Sequence, residues 1–118
     1  MAASFIRGVQ SNGVGSSIKH FALYNQETGL HSINVNASPR TIREIYLKPY
    51  EIAIRKSVPW AVMSSQNKVN GIYACESKDL LTEVLRGEWG YEGMVVNGWF
   101  GNDICAMVEA GNDMSQEQ

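Results

Sequence analysis

The sequence predicts an α/β fold built from three consecutive parallel strand–helix units. Three short runs rich in apolar and β-branched residues alternate with segments whose apolar residues recur at helical spacing. Such alternation implies parallel strands joined by right-handed helical crossovers. Each run also turns polar towards its C-terminal end: Lys19-His20, then Ser65-Gln66-Asn67, then Asn97-Gly98-Trp99. In βα-barrels and doubly wound sheets the residues just past the strands do the chemistry.

Residues Ala2 to Gln10 read as a short helix with Phe5, Ile6 and Val9 on one face. Asn12-Gly13-Val14-Gly15-Ser16-Ser17 ends it in a plain turn, because its glycines match neither the Walker nor the dinucleotide spacing. Ile18 to Tyr24 reads as the first strand. Lys19 and His20 interrupt it, and an ammonium on a buried strand is costly without a partner or a ligand. Two readings stay open there: an edge strand with Lys19 in solvent, or a strand end facing a ligand.

Asn25 to Ala37 is polar and long for a connection, and long ordered loops are often functional. Ser38-Pro39 opens a helix, with serine as N-cap and proline in its first position. Ile42, Ile45, Tyr46, Pro49 and Ala53 share its apolar face, and Pro49 is expected to bend or divide it. Arg43, Glu44, Lys48, Glu51 and Arg55 form a solvated charged face.

Trp60 to Asn67 is the second strand, and Asn70-Gly71 marks a turn after it. Ser77 caps the next helix, which buries Leu80, Leu81, Val84 and Leu85 and stops at Gly87. The third strand is Met94 to Val96, bracketed by glycines in Gly93-Met94-Val95-Val96-Asn97-Gly98-Trp99-Phe100-Gly101, with Asn97-Gly98-Trp99 expected to be exposed. Asn102 or Asp103 opens a last helix carrying Ile104, Met107 and Val108, ending at Gly111. The tail from Met114 to Gln118 is expected to fray.

With 118 residues, the chain is one domain at most. A net charge of −2 with interspersed signs gives no nucleic-acid groove and no attraction to an anionic membrane. No apolar stretch reaches the roughly 20 residues that span a bilayer, and no signal peptide is visible, so a cytoplasmic location is the default. Cys75 and Cys105 lack metal-ligand spacing and are expected to be reduced, with no metal or other cofactor.

Several motifs together resemble glycoside hydrolase family 3. They are Lys19-His20-Phe21-Ala22, Asn25-Gln26-Glu27-Thr28, Arg43-Glu44-Ile45-Tyr46-Leu47-Lys48-Pro49, Val62-Met63-Ser64-Ser65 and Asn67-Lys68-Val69-Asn70-Gly71, followed by Leu85-Arg86-Gly87-Glu88-Trp89-Gly90-Tyr91 and Ala110-Gly111-Asn112-Asp113. The likeness covers nearly the whole chain and is greatest to bacterial β-glucosidases. It implies that residues 1–118 are part of that family's N-terminal domain, about three units of its TIM barrel.

The resemblance also implies roles. Lys19 and His20 match a pair that binds sugar hydroxyls in the innermost subsite, and Trp99 matches a tryptophan lining it. Three positions depart from the family pattern: Leu30 stands for a sugar-binding arginine, Gln66 for a tyrosine beside the reaction centre, and Gly98 for the nucleophilic aspartate. After Asp113 the tail departs too, where the family continues with a Met-Pro-Gly-like segment. Retaining hydrolysis needs two carboxyl groups about 5–5.5 Å apart, and glycine supplies none. The family's acid/base usually lies outside this segment. Glu27 and Glu76 are the acids nearest strand ends, and read as loop or capping carboxylates.

The expected function is therefore a β-glucosidase-like segment, inactive as it stands, that binds glucose or a β-glucoside weakly if at all. Alternatives are a non-catalytic sugar-binding or interaction module and a small ligand-free α/β protein. Strands cut from a barrel wall leave two bare edges and a poorly covered face, so self-association through those edges, or rearrangement of the helices to cover both faces, is expected.

Overall fold

A computed structural model of the chain describes residues 1–99 and 103–116. Three strands form the central sheet: β1 (Ser17–Phe21), β3 (Ala61–Ser64) and β6 (Met94–Val96). They run parallel in the order β1-β3-β6, with Ile18 beside Val62 and Val62 beside Val95. Val62 and Val95 are fully buried neighbours in the sheet. The expected α/β architecture is present.

β1 carries an irregularity at the pair that the sequence singled out. Ile18 faces Val62 and Phe21 faces Ser64, so β1 spends one more residue than β3 over the same ladder. Lys19 and His20 occupy that bulge, and the Lys19–His20 and Phe21–Ala22 peptide bonds are cis. Bulges beside sites re-aim side chains.

A second, smaller sheet was not foreseen. β2 (Asn34–Val35), β4 (Lys68–Val69) and β5 (Ile72–Tyr73) pair in that order, β2 with β4 in parallel and β4 with β5 in antiparallel fashion. Asn70 and Gly71 join β4 to β5 with φ of 49° and 95°, the left-handed pair of a tight hairpin turn. Asn70 also accepts from the Ala37 amide at 3.0 Å and donates to its carbonyl at 2.9 Å. The long loop after β1 is thereby pinned across the ends of the strands.

The N-terminal helix α1 (Ala2–Gln10) buries Ala3 and Ile6 but leaves Phe5 73% exposed, a correction to the expected face. Arg7 and Gln10 anchor it by donating to the carbonyls of Lys56, Ser57 and Val58. Ser38 caps the next helix as expected, its hydroxyl accepting from the Thr41 amide at 3.1 Å. That helix changes type along its length: α2 (Pro39–Thr41), a π-helical stretch Ile42–Leu47, then α3 (Lys48–Ser57). Pro49 lies at the start of α3, where a missing N–H costs little. The division expected at Pro49 is thus a change of register, with helix on both sides.

The π stretch also moves the buried face. Its wider turn adds residues per revolution, so positions counted at 3.6 per turn fall out of phase. Ile45 is 64% exposed and Pro49 is exposed, whereas Ile42 and Tyr46 pack against the core and Ala53 is buried as expected, joined by Leu47 and Ile54. The charged face is solvated as expected: Arg40–Glu44, Lys48–Glu51 and Arg55–Glu51 pair at 2.9–3.1 Å, and Arg43 pairs with Glu88. Exposed pairs of this kind contribute little to stability, because solvent and salt screen them.

A second π-helix, Asp79–Glu88, follows the Ser77 cap and buries Leu80, Leu81, Val84 and Leu85, all four as the spacing predicts. It runs past Gly87, and the left-handed residue is Gly90, at φ 66°. Asp103 caps α4 (Ile104–Ala110), accepting from the Cys105 and Ala106 amides, and Gly111 at φ 116° ends it. Asn102, the alternative cap, and Phe100 and Gly101 lie outside the described residues. Both cysteines are free, and burial pushes the Cys75 thiol up to about 11.

The tail up to Gln116 does not fray. Asp113 and Met114 donate to the Val95 carbonyl, Asn97 donates to the Met114 carbonyl at 3.2 Å, and Val96 bridges Met114 in parallel. Residues 113–116 therefore run along β6 as a further strand would, and one of the two edges expected to be bare is occupied. The β1 edge has no strand partner on its outer side among the described residues.

Candidate functional site

The C-terminal ends of the three strands and the loop pinned over them enclose an open cavity of about 680 Å³. His20 reaches it from the β1 bulge, Gln66 from beyond β3 and Trp99 from beyond β6. Tyr24, Glu27, Leu30 and His31 are supplied by the loop. Four of the six positions singled out in the sequence thus line one cavity: His20, Leu30, Gln66 and Trp99.

The strand ends that carry His20 and Gln66 are held from behind. The Tyr50 hydroxyl of α3 donates to the His20 carbonyl at 2.6 Å, and burial pushes that phenol up to about 12. The Ser65 amide donates to the Phe21 carbonyl at 2.7 Å, tying the end of β3 to β1. Ser65 Oγ donates to Asn67 Oδ1, and Asn67 donates on to the Ala22 and Lys68 carbonyls. Gln66 is only 9% exposed.

The remaining two positions lie differently. Lys19 is exposed and lines a separate groove with Ile18, Pro49 and Tyr50. Gly98 is buried behind Gln66: a Cβ built on it would stand 2.7 Å from Gln66 Cδ and 3.0 Å from Cγ. Asn97, expected to be exposed, is fully buried, donating to Ser115 Oγ and accepting from the Gln116 amide. Of the Asn-Gly-Trp end, Trp99 alone faces solvent, at 59% exposure.

Electrostatics inside the cavity favour a neutral imidazole. Burial lowers the pKa of His20, and the nearby Lys19 charge lowers it further, while Glu27 pulls the other way. The His20 ring stacks on Tyr24 with centroids 4.2 Å apart. Tyr24 donates to the Glu27 carboxylate, and chiefly through that bond its phenol is pushed up to about 12. Glu27 therefore lies at the site, beyond the loop or capping role expected of it. Glu76 does take a capping role, accepting from the Asp103 amide at 3.3 Å.

Tyr24, His31 and Ser32 were missed. The only signal for them was the length of the loop, since their positions depend on the pairing of Asn34–Val35 with Lys68–Val69. Among the described residues no three His, Cys, Asp or Glu side chains gather to hold a metal, and no helix is long and apolar enough to cross a membrane.

The family model of the glycosyl hydrolase family 3 N-terminal domain matches residues 1–117. The chain belongs to glycoside hydrolase family 3. It is 48% identical over 115 residues to β-glucosidase B of Emericella nidulans, which covers 97% of this chain and 14% of that protein. Similarity to exo-α-(1→6)-L-arabinopyranosidase of Bifidobacterium longum is 46% over 111 residues, covering 93% and 15%. Among solved structures, β-glucosidase 3B from Thermotoga neapolitana in complex with glucose superimposes with a TM-score of 0.93 at 49% identity, over 96% of this chain and 16% of that one. The chain thus spans about a seventh of the length of the curated relatives it matches. The parallel sheet and its polar strand ends are a portion of this family's barrel.

Proposed function

We propose that the chain forms part of the sugar subsite of a β-glucosidase-type retaining glycoside hydrolase and does not turn over substrate as it stands. The observation that carries this reading is the pairing of Gly98 with Gln66 at the ends of β6 and β3. Family resemblance assigns the nucleophile to position 98, and Gln66 occupies the space that any side chain there would need. A retaining mechanism needs two carboxyl groups about 5–5.5 Å apart. Among the described residues lining the cavity, Glu27 is the one carboxylate, and it is engaged with Tyr24.

Sugar binding is supported by the type of lining. His20 and Gln66 offer hydrogen-bonding groups, Trp99 offers an aromatic face, and a related enzyme of matching fold holds glucose. Lys19 contributes to the same subsite in this reading only if its exposed side chain swings across from its own groove. Self-association, in the same reading, runs through β1, whose outer edge is unpaired.

The test is hydrolysis of a chromogenic β-glucoside. Neither the chain nor its Gly98→Asp/Gln66→Tyr variant is expected to release product above the buffer rate, since loss of a covalent nucleophile removes most of the rate and Glu27, the other carboxylate of the cavity, is engaged with Tyr24. Saturable turnover by the unsubstituted chain would overturn the proposal.

A further inference from the structure

The cavity carries a charge that a neutral sugar does not use. Glu27 lines it from the loop after β1, with its carboxylate accepting from Tyr24. No lysine or arginine is among the described residues that line the cavity. Lys19 faces the other groove, exposed, where solvent and salt screen it. The imidazole of His20 is pushed towards its neutral form by burial. What remains is a carboxylate beside Tyr24 and Trp99, two aromatic rings with electron-rich faces, and polar groups from His31, Gln66 and Ser32.

That combination suits a hydroxylated organic cation. A carboxylate accepts a charge-assisted hydrogen bond from an ammonium more strongly than from a hydroxyl, and aromatic faces attract cations. We propose that this cavity prefers amino sugars, hexoses bearing a protonated amine, over neutral hexoses, with Glu27 receiving the ammonium. The inference rests on the sugar-subsite reading above and names its ligand class. Glu27 is exposed, so the preference is modest and sensitive to salt.

Calorimetric or NMR titrations of the chain with D-glucose, D-glucosamine and N-acetyl-D-glucosamine, at low salt and mildly acidic pH, test it. Glucosamine is expected to bind about five-fold more tightly than glucose, the upper range for a partly exposed ion pair. N-acetylglucosamine, with the same ring and no charge, should lack the advantage. Glu27→Gln keeps the shape and an acceptor for Tyr24, and should bring glucosamine down to the affinity of glucose, as should added salt. Equal binding of glucose and glucosamine by the unsubstituted chain would overturn this inference and leave the sugar-subsite reading standing. A preference that survives Glu27→Gln would overturn the role given to Glu27. Binding of none of the three sugars would overturn both the inference and the reading beneath it.

Discussion

Gly98→Asp introduced alone is expected to lower stability, and to do so far less when Gln66 is replaced at the same time. The obstacle is the side chain, since Gly98 is not among the glycines with positive φ and its backbone admits an L-residue. A Cβ at position 98 would press on Gln66 at Cγ, Cδ and Nε2, all within 3.0 Å, and Gln66 is itself 9% exposed. The atoms that collide are the end of a flexible side chain beside an open cavity, so Gln66 can shift and the steric cost sits at the low end of the range of about 1–3 kcal/mol for overfilling a core. A carboxylate in that buried position adds a desolvation penalty until it finds donors. Gly98→Ala separates the two effects, because it carries the overlap without the charge. In a urea-denaturation cycle of Gly98→Ala with Gln66→Ala, the coupling is expected to reach about 1–2 kcal/mol, as for residues in direct contact. Additive effects would mean that the two positions do not share the space. Coupling of that size would make positions 66 and 98 one packing unit, to be changed together when a carboxylate is introduced at 98.

Asn112→Ala is expected to cost about 2–4 kcal/mol, because it strips partners from several buried groups at once. Asn112 is 5% exposed and donates to the Cys75 carbonyl at 2.7 Å and the Met107 carbonyl at 3.0 Å. Its Oδ1 accepts from Ser64 Oγ at 2.8 Å. One side chain thereby joins the end of β3, the turn before the second π-helix, and α4. Asn112→Asp removes the donor and buries a charge, so it should be at least as damaging near neutral pH and partly relieved on acidification. Urea midpoints at two pH values measure both variants. An Asn112→Ala midpoint equal to that of the parent would show that the network carries no net stability.

The central sheet was legible because its three strands are short, apolar and bracketed by turn residues, and because helical spacing lies between them. Leu80, Leu81, Val84 and Leu85 were placed correctly: in a segment that begins at a recognisable cap, the phase has little distance in which to drift. Ile45 and Pro49 were misplaced because the π stretch before α3 changes the residues per turn, and apolar spacing carries no mark of that change. β2, β4 and β5 were invisible for a different reason. A strand of two residues has no alternation to read, and only the Asn70-Gly71 turn announced the hairpin. The tail was expected to fray, whereas Asp113 Oδ2 accepts from the Val95 amide and from Arg86, both at 2.7 Å, and ties its start to β6. In the site, His20, Gln66 and Trp99 lie at strand ends and could be foreseen from the polar breaks. Glu27 and Tyr24 depend on where a long loop returns, which non-local pairing decides.

Glucose binding followed residue by residue tests the account most directly. With an isotopically labelled chain, titration of D-glucose is predicted to move the ring signals of His20 and Trp99 and the side-chain amide of Gln66. The shifts should saturate together, and the Cys105 and Val108 signals of α4, outside the cavity lining, should stay still. Signals of His20, Gln66 and Trp99 that remain unmoved at the highest glucose concentration, or saturable shifts elsewhere on the chain, would contradict a sugar subsite at these strand ends.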